Sequence, residues 1–117
     1  MKIDYHNKMF KASENSDNGE VSDKTLFQYY QEGQLLRGSY EGGNIAKGEL
    51  LGKVLANGQL QFYYHHILID GQLQAGYCES KPEIMPNGRI KLYESWQWFS
   101  GDGTRGHSTL EEVEKTL

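Results

Sequence analysis

Glycines that follow Asn, Asp, Glu or another Gly recur along the whole chain and limit what it can fold into. Asn-Gly and Asp-Gly are the strongest short hairpin signals, because their residues tolerate the positive φ that a tight hairpin needs. The 117 residues include 14 glycines and only two prolines. We identify seven turns: Asn18-Gly19, Glu32-Gly33, Gly42-Gly43, Asn57-Gly58, Asp70-Gly71, Asn87-Gly88 and Gly101-Asp102-Gly103.

The runs between these turns are rich in Tyr, Phe, Leu and Ile and alternate with a two-residue period, which is typical of β-strands. Seven turns predict eight strands, at about residues 8–14, 24–31, 34–41, 45–55, 59–69, 72–80, 89–99 and 104–113. The polar residues 1–7 and 15–23 predict a flexible start and a mobile first loop. The segment from Ser108 also has the pattern of a short capped helix, but a strand through about Val113 is favoured.

The connection between the sixth and seventh predicted strands, Lys81–Gly88, is longer than the others. It contains Pro82 and Pro86, and proline has no N–H to donate to a strand ladder. We therefore expect this connection to remain unpaired.

An eight-stranded meander with so little helix would leave two open edges and an uncovered apolar face, and closing it into a barrel removes both edges. The predicted fold is all-β, an eight-stranded antiparallel up-and-down barrel in a single domain, residues 1–117. A two-sheet sandwich is the alternative, but it needs long crossovers where this chain has tight turns.

Alternation predicts which side chains face the interior. In 89–99 the apolar face carries one charged residue; it consists of Ile90, Leu92, Glu94, Trp96 and Trp98. In 59–69 the inner face is Leu60, Phe62, Tyr64, His66 and Leu68, and in 45–55 it is Ala46, Gly48, Leu50, Gly52 and Val54. A three-residue loop with a glycine bulge at Asn57-Gly58 pairs Val54 with Leu60 and Gly52 with Phe62, so that both apolar sets are buried.

Strand 72–80 permits two orientations. A two-residue turn at Asp70-Gly71 places Leu73, Ala75 and Tyr77 inside. A bulged turn there places Gly76, Cys78 and Ser80 inside. Glycines within strands, such as Gly48, Gly52 and Gly76, are expected to leave room for large neighbours such as Trp96 and Phe62.

Composition argues against several function classes. The net charge is −4 and the 12 basic residues are scattered, so no nucleic-acid partner is expected. No apolar stretch is long enough to cross a bilayer, so no membrane partner is expected, and the N-terminus lacks the apolar core of a signal peptide. A lone cysteine, Cys78, cannot form an internal disulfide, which is typical of a cytoplasmic protein.

Five motifs lie between about Thr25 and Glu112: YxGG at Tyr40–Gly43, GxLxGxV at Gly48–Val54, FxYxH at Phe62–His66, GxCxSxPE at Gly76–Glu83, and NGRIxLxExWQWxSGD from Asn87 to Asp102. They resemble a family of small, uncharacterised bacterial proteins with an avidin-like or lipocalin-like barrel. The resemblance implies that Gly76, Cys78 and Ser80 face inward. Members often carry the label N-acetylglutamate synthase, but known acetyltransferases are α/β domains that bind acetyl-CoA at a helix N-terminus. A chain with almost no helix does not form that site.

The predicted interior contains a candidate ligand site with two indoles as walls and a few polar groups, the usual composition of a small-molecule pocket. Its residues are Tyr40, Tyr64, His66, Cys78, Glu94, Trp96 and Trp98. If Glu94 is buried, desolvation is expected to raise its pKa unless a partner compensates. The alternative is a filled barrel in which these groups satisfy one another's hydrogen bonds.

The favoured function is therefore a small-molecule-binding module with no cofactor and no metal site. One alternative is an enzyme in which Glu94 and His66 act as acid and base, or Cys78 acts as a nucleophile beside His66. Another is a structural homo-oligomer that associates through outward aromatics such as Tyr63, Tyr93 and Phe99.

Overall fold

A computed structural model describes residues 3–16, 20–101 and 103–114 and shows a closed barrel of eight antiparallel strands. The strands are β1 (Lys8–Asn15), β2 (Leu26–Glu32), β3 (Leu35–Gly42), β4 (Ile45–Val54), β5 (Leu60–Leu68), β6 (Leu73–Ile84), β7 (Ile90–Trp98) and β8 (Arg105–Val113). Each strand pairs with the next, and β8 pairs with β1. The predicted barrel is confirmed, as is a strand through Val113. The predicted turn at Asn18-Gly19 and the centre of the turn at Asp102 lie outside the described residues.

The predicted inner faces of β5 and β7 are confirmed, since their alternate residues from Leu60 and from Ile90 are buried, with Tyr64 half-buried. The predicted register is also confirmed, because Val54 pairs with Leu60. The prediction for Ala46 is wrong. Ile45 is buried and Ala46 is exposed, because the register of β4 shifts between Ile45 and Lys47 and reverses the alternation there.

Strand β6 directs Gly76, Cys78 and Ser80 inward, and Leu73 is 74% exposed. Of the two alternatives, the two-residue turn at Asp70-Gly71 is therefore excluded, and the inward orientation that the resemblance implied for Gly76, Cys78 and Ser80 is confirmed. The amide of Leu68 donates to the carbonyl of Gln72, which closes a three-residue loop with Gly71 at φ +91°. This is the bulged loop, and its extra residue turns the following strand over.

The expectation that the connection Lys81–Gly88 stays unpaired is wrong for its first half, Lys81 to Ile84. Strand β6 continues to Ile84, and Pro82 pairs with Leu92 of β7. Strand β5 ends opposite Ser80, where Leu60 is the last partner, so beyond that point β6 has a neighbour on one side only. Proline is tolerated there because an edge segment does not need every N–H.

Four glycines within strands each lie opposite an aromatic residue on a neighbouring strand. At Gly48, Gly76 and Gly106 an aromatic side chain occupies the space that a Cβ would need. That Cβ would lie 2.3 Å from the ring of Tyr40, 2.3 Å from the hydroxyl of Tyr64 and 2.1 Å from the ring of Trp96, respectively. A Cβ on Gly52 would instead lie 2.0 Å from the Gln61 carbonyl oxygen and 2.4 Å from Phe62 Cα, so Gly52 allows the β5 backbone to approach closely. The expectation that in-strand glycines leave room for large neighbours is confirmed for Gly48 and Gly76, and room for Trp96 is provided by Gly106.

One end of the barrel is covered by the N-terminal segment, which corrects the expectation of a flexible start. Tyr5 is fully buried, and its hydroxyl donates a 2.6 Å hydrogen bond to the carbonyl of Gly58 in the β4–β5 loop. Ile3 lies against Gly58 as well. The loops after β1, β3, β5 and β7 are at the opposite end.

Candidate functional site

A cavity of about 40 Å³ lies inside the barrel and opens towards the end that carries the β1–β2 loop. All seven residues predicted for the site line it: Tyr40, Tyr64, His66, Cys78, Glu94, Trp96 and Trp98. The sequence analysis missed the other seven, which are Asn15, Glu20, Val21, Phe27, Leu50, Phe62 and Ser108. The cavity shows that these side chains lie together. That they bind a ligand stays a prediction.

The indoles form one packed wall of the cavity. The ring centroids of Trp96 and Trp98 are 5.4 Å apart at 60°, and Tyr64 meets Trp98 edge-on at 5.6 Å. These are distances of direct ring contact. No planar group fits between the two indoles, so the free space lies beside them.

Trp96 is held by a chain of polar contacts that leads to the mouth. Its indole N–H donates to Ser108 Oγ at 2.8 Å, and the Ser108 hydroxyl donates to Asn15 Oδ1. Asn15 Nδ2 in turn donates to the carbonyl of Val21 in the β1–β2 loop. Asn15 reaches this network because β1 has a register shift between Ala12 and Glu14, which simple alternation does not reveal.

Glu94 is the buried acid of the site, with 8% of its surface exposed. Burial raises the pKa of its carboxyl to about 7, against the opposing contacts of Ser80, Cys78 and Tyr29. The Ser80 hydroxyl donates to Glu94 Oε2 at 2.8 Å. The expected rise in pKa is therefore present, and the side chains around the carboxyl are neutral.

His66 makes two hydrogen bonds, and burial favours its neutral form. Nε2 lies 2.7 Å from the amide oxygen of Gln74 and must donate to it, which leaves Nδ1 to accept from the Tyr40 hydroxyl at 2.9 Å. Burial lowers the pKa of His66, although the Gln74 hydrogen bond opposes this. Both ring nitrogens are thus already engaged.

The arrangement does not pair His66 with Glu94 as acid and base. Trp98 is the β7 residue that contacts the His66 ring, with centroids 5.6 Å apart. Glu94 is four residues away on the same strand, which is about 13 Å of extended backbone. The two groups bond to different partners at different depths.

Cys78 has the environment of a structural thiol. Its sulfur lies 3.8 Å from Ser80 Oγ, and burial, followed by the nearby Glu94 charge, raises its pKa well above the usual value. A reactive cysteine needs the opposite shift, because the thiolate is the nucleophile. This geometry does not activate Cys78.

The buried hydroxyl groups of Tyr29 and Tyr64 have no hydrogen-bond partner among the residues that the structure describes. Tyr29 lies close enough to Glu94 to lower its pKa, but without the geometry of an ordinary hydrogen bond. Tyr64 lines the cavity and lies against Gly76. Buried polar groups are normally paired, so an unpartnered hydroxyl in a cavity wall indicates a place for a water molecule or a ligand.

The outward aromatics do not form a single group. Tyr63 contacts Tyr77 at 5.3 Å and Phe99 at 5.8 Å, and Tyr63 and Phe99 are exposed. Tyr93 instead donates a hydrogen bond to Glu83.

Within the described ranges, no three His, Cys, Asp or Glu side chains come together in a way that would hold a metal ion, and no helix is long and apolar enough to cross a membrane.

Comparison with known proteins agrees with this architecture. A family model described as avidin-like protein matches residues 3–113, which is nearly the whole chain. No curated protein matches the sequence.

Proposed function

Because this chain belongs to the family of avidin-like proteins, we propose that its barrel binds a small molecule in the cavity beside Trp96 and Trp98. One observation carries the proposal: a cavity that opens at one end of the barrel leads to buried polar groups, Glu94 and the unpartnered Tyr64 hydroxyl. A barrel built only as a scaffold gains nothing from such groups, because burying a carboxyl without a cation, or a hydroxyl without a partner, costs stability.

The placement of the tryptophans provides a specific assay. The chain has two tryptophans, and both line the cavity. A ligand that enters the cavity must therefore change the tryptophan emission. A metabolite library screened by thermal shift, followed by fluorescence titration of each hit, tests the proposal.

A matched pair of variants locates the binding. Val21→Phe enlarges a side chain at the mouth, whereas Ile84→Phe enlarges a partly exposed one on β6, outside the cavity lining. We expect Val21→Phe to weaken binding at least tenfold and Ile84→Phe to leave it unchanged. A hit that binds both variants equally without changing the emission occupies another surface, and that result, or a library without hits, would overturn the proposal.

A second proposal is self-association through the patch formed by the exposed Tyr63 and Phe99 and the half-buried Tyr77. Contact among these three rings on the barrel exterior favours it, since clustered exposed apolar groups mark interaction surfaces. Light scattering should give a mass above 13.4 kDa that falls to this value in Tyr63→Glu. A monomer at all concentrations would refute it.

A further inference from the structure

The charged groups that line the cavity are all acidic. Among the described residues these are Glu20 at the mouth and Glu94 in the interior, and the lining includes neither lysine nor arginine. His66 adds no positive charge at pH 8, because burial lowers its pKa. The field inside the cavity therefore favours a cation and opposes a carboxylate ligand.

Glu94 has no cationic partner within the described part of the chain. The ion pairs found there, Lys8–Glu112 and Lys47–Glu41, lie elsewhere. The contacts of Glu94 are to hydroxyl and thiol groups. Buried carboxylates are normally paired with a cation or kept protonated, so this carboxylate is available as a counter-ion for a positively charged ligand.

Aromatic rings form much of the remaining wall. The six rings are Phe27, Tyr40, Phe62, Tyr64, Trp96 and Trp98. Faces of such rings attract ammonium groups, and the attraction is strongest at desolvated sites. The unpartnered Tyr64 oxygen can also accept a hydrogen bond from an N–H donor.

The volume limits the size of the cationic group. About 40 Å³ is more than the ~10–15 Å³ of cavity that one water molecule needs, and well below the ~150 Å³ of an engineered cavity that binds benzene. An –NH₃⁺ group with its first methylene groups fits this range. A trimethylammonium group or an aromatic ring needs several times as much space and would have to displace the packed indoles.

From these observations we propose that the cavity binds the ammonium end of an unbranched primary alkylamine, with Glu94 as counter-ion and the alkyl chain directed towards Val21 at the mouth. This inference rests on the proposed small-molecule function and specifies its ligand class.

The proposed ion pair gives binding a defined pH dependence. The titratable groups that face Glu94 are Cys78 on β6, Tyr29 on β2, Tyr40 on β3 and Tyr64 on β5, and burial raises the pKa of each, so all are neutral between pH 6 and 8. Glu94 itself changes charge in this range, because burial holds its pKa at about 7. Since the amine pairs with the ionised carboxylate, affinity should fall about tenfold from pH 8 to pH 6.

Three probes of equal length test the ligand class: n-butylamine, butan-1-ol and butyrate, titrated at pH 8 with tryptophan emission as the readout. We expect n-butylamine to bind at least tenfold more tightly than butan-1-ol, and butyrate not to bind. Glu94→Gln should abolish the preference for the amine, while the exposed Glu49→Gln should preserve it. Choline tests the size limit and is expected not to bind.

The possible failures are distinguishable. If butan-1-ol or butyrate binds as tightly as the amine, or if Glu94→Gln keeps the preference, the cationic ligand class is wrong and small-molecule binding stands. If none of the probes binds but a library compound changes the emission, the cationic ligand class is likewise wrong and small-molecule binding stands. If no compound of any class changes the emission, both proposals fail.

Discussion

Glu94 should make the stability of this barrel fall as pH rises, and Glu94→Gln should remove that dependence. Burial raises the pKa of the carboxyl from 4.5 to about 7. Between these values the folded protein holds a proton that the unfolded chain has lost, so the free energy of unfolding decreases with increasing pH. The contribution is fully present below about pH 4.5 and is lost as pH rises through about 7.

The size of the effect follows from the shift. One pKa unit corresponds to ~1.36 kcal/mol, so the change from 4.5 to about 7 amounts to about 3 kcal/mol across the transition. Glutamine does not titrate, so any cost of placing it beside Ser80 is the same at every pH. The variant should therefore gain about 3 kcal/mol relative to the wild type between pH 4.5 and pH 8.

Urea unfolding at half-unit pH steps, followed by tryptophan emission and extrapolated linearly to water, measures this difference. Glu49→Gln, at an exposed position on β4, is the matched control and should follow the wild type at every pH. If the curves of wild type and Glu94→Gln stay parallel, Glu94 does not titrate in this range and the reasoning is refuted.

Three further outcomes test the fold and the site. Gly106→Ala should lower the free energy of unfolding by about 1–3 kcal/mol in urea, because its methyl group would occupy the space of the Trp96 ring; unchanged stability would show that the slot is not needed. Tyr5→Phe should lower the free energy of unfolding by about 1 kcal/mol, because it leaves the Gly58 carbonyl unpaired. Unchanged stability would contradict the role of the N-terminal segment in covering that end of the barrel. Cys78 should react with a thiol reagent no faster than the protein unfolds, and rapid labelling of the native protein would mean that the thiol is accessible.

Turn chemistry made most of the fold predictable, and the one strand that was ambiguous shows why. The loops that end at Gly58, Gly71 and Gly88 have the same structure. In each, the glycine has positive φ, and the side chain of the Asn or Asp before it accepts a hydrogen bond from the backbone amide of the residue after the glycine. The prediction used a bulged loop at Gly58 but left both a two-residue and a bulged turn open at Gly71. Equal sequence patterns should have received equal loops, and that rule would have oriented β6 without the family resemblance.

Some features could not be predicted, because they depend on which strands are neighbours. Alternation fails across the register shifts between Ile45 and Lys47 and between Ala12 and Glu14, and it therefore missed Asn15 at the mouth. Pro82 is accepted in β6 because β5 ends before it reaches that level. The N-terminal segment is polar apart from a few residues, and Tyr5 is buried because the open end of the barrel needs a cover.

The candidate site residues were predictable by the same alternation, but the space among them was not. Each ring that faces a glycine lies over the backbone of the neighbouring strand and away from the barrel axis. The glycines at Gly48, Gly76 and Gly106 thus determine how far Tyr40, Tyr64 and Trp96 withdraw from the centre, and what remains is a cavity of about 40 Å³. The filled barrel and the open pocket were treated as alternatives, yet this barrel is packed around its wall and keeps a small cavity beside Glu94. Under the proposed function, the size of the ligand is therefore limited by glycines that do not line the cavity, while its charge is selected by Glu94, which does.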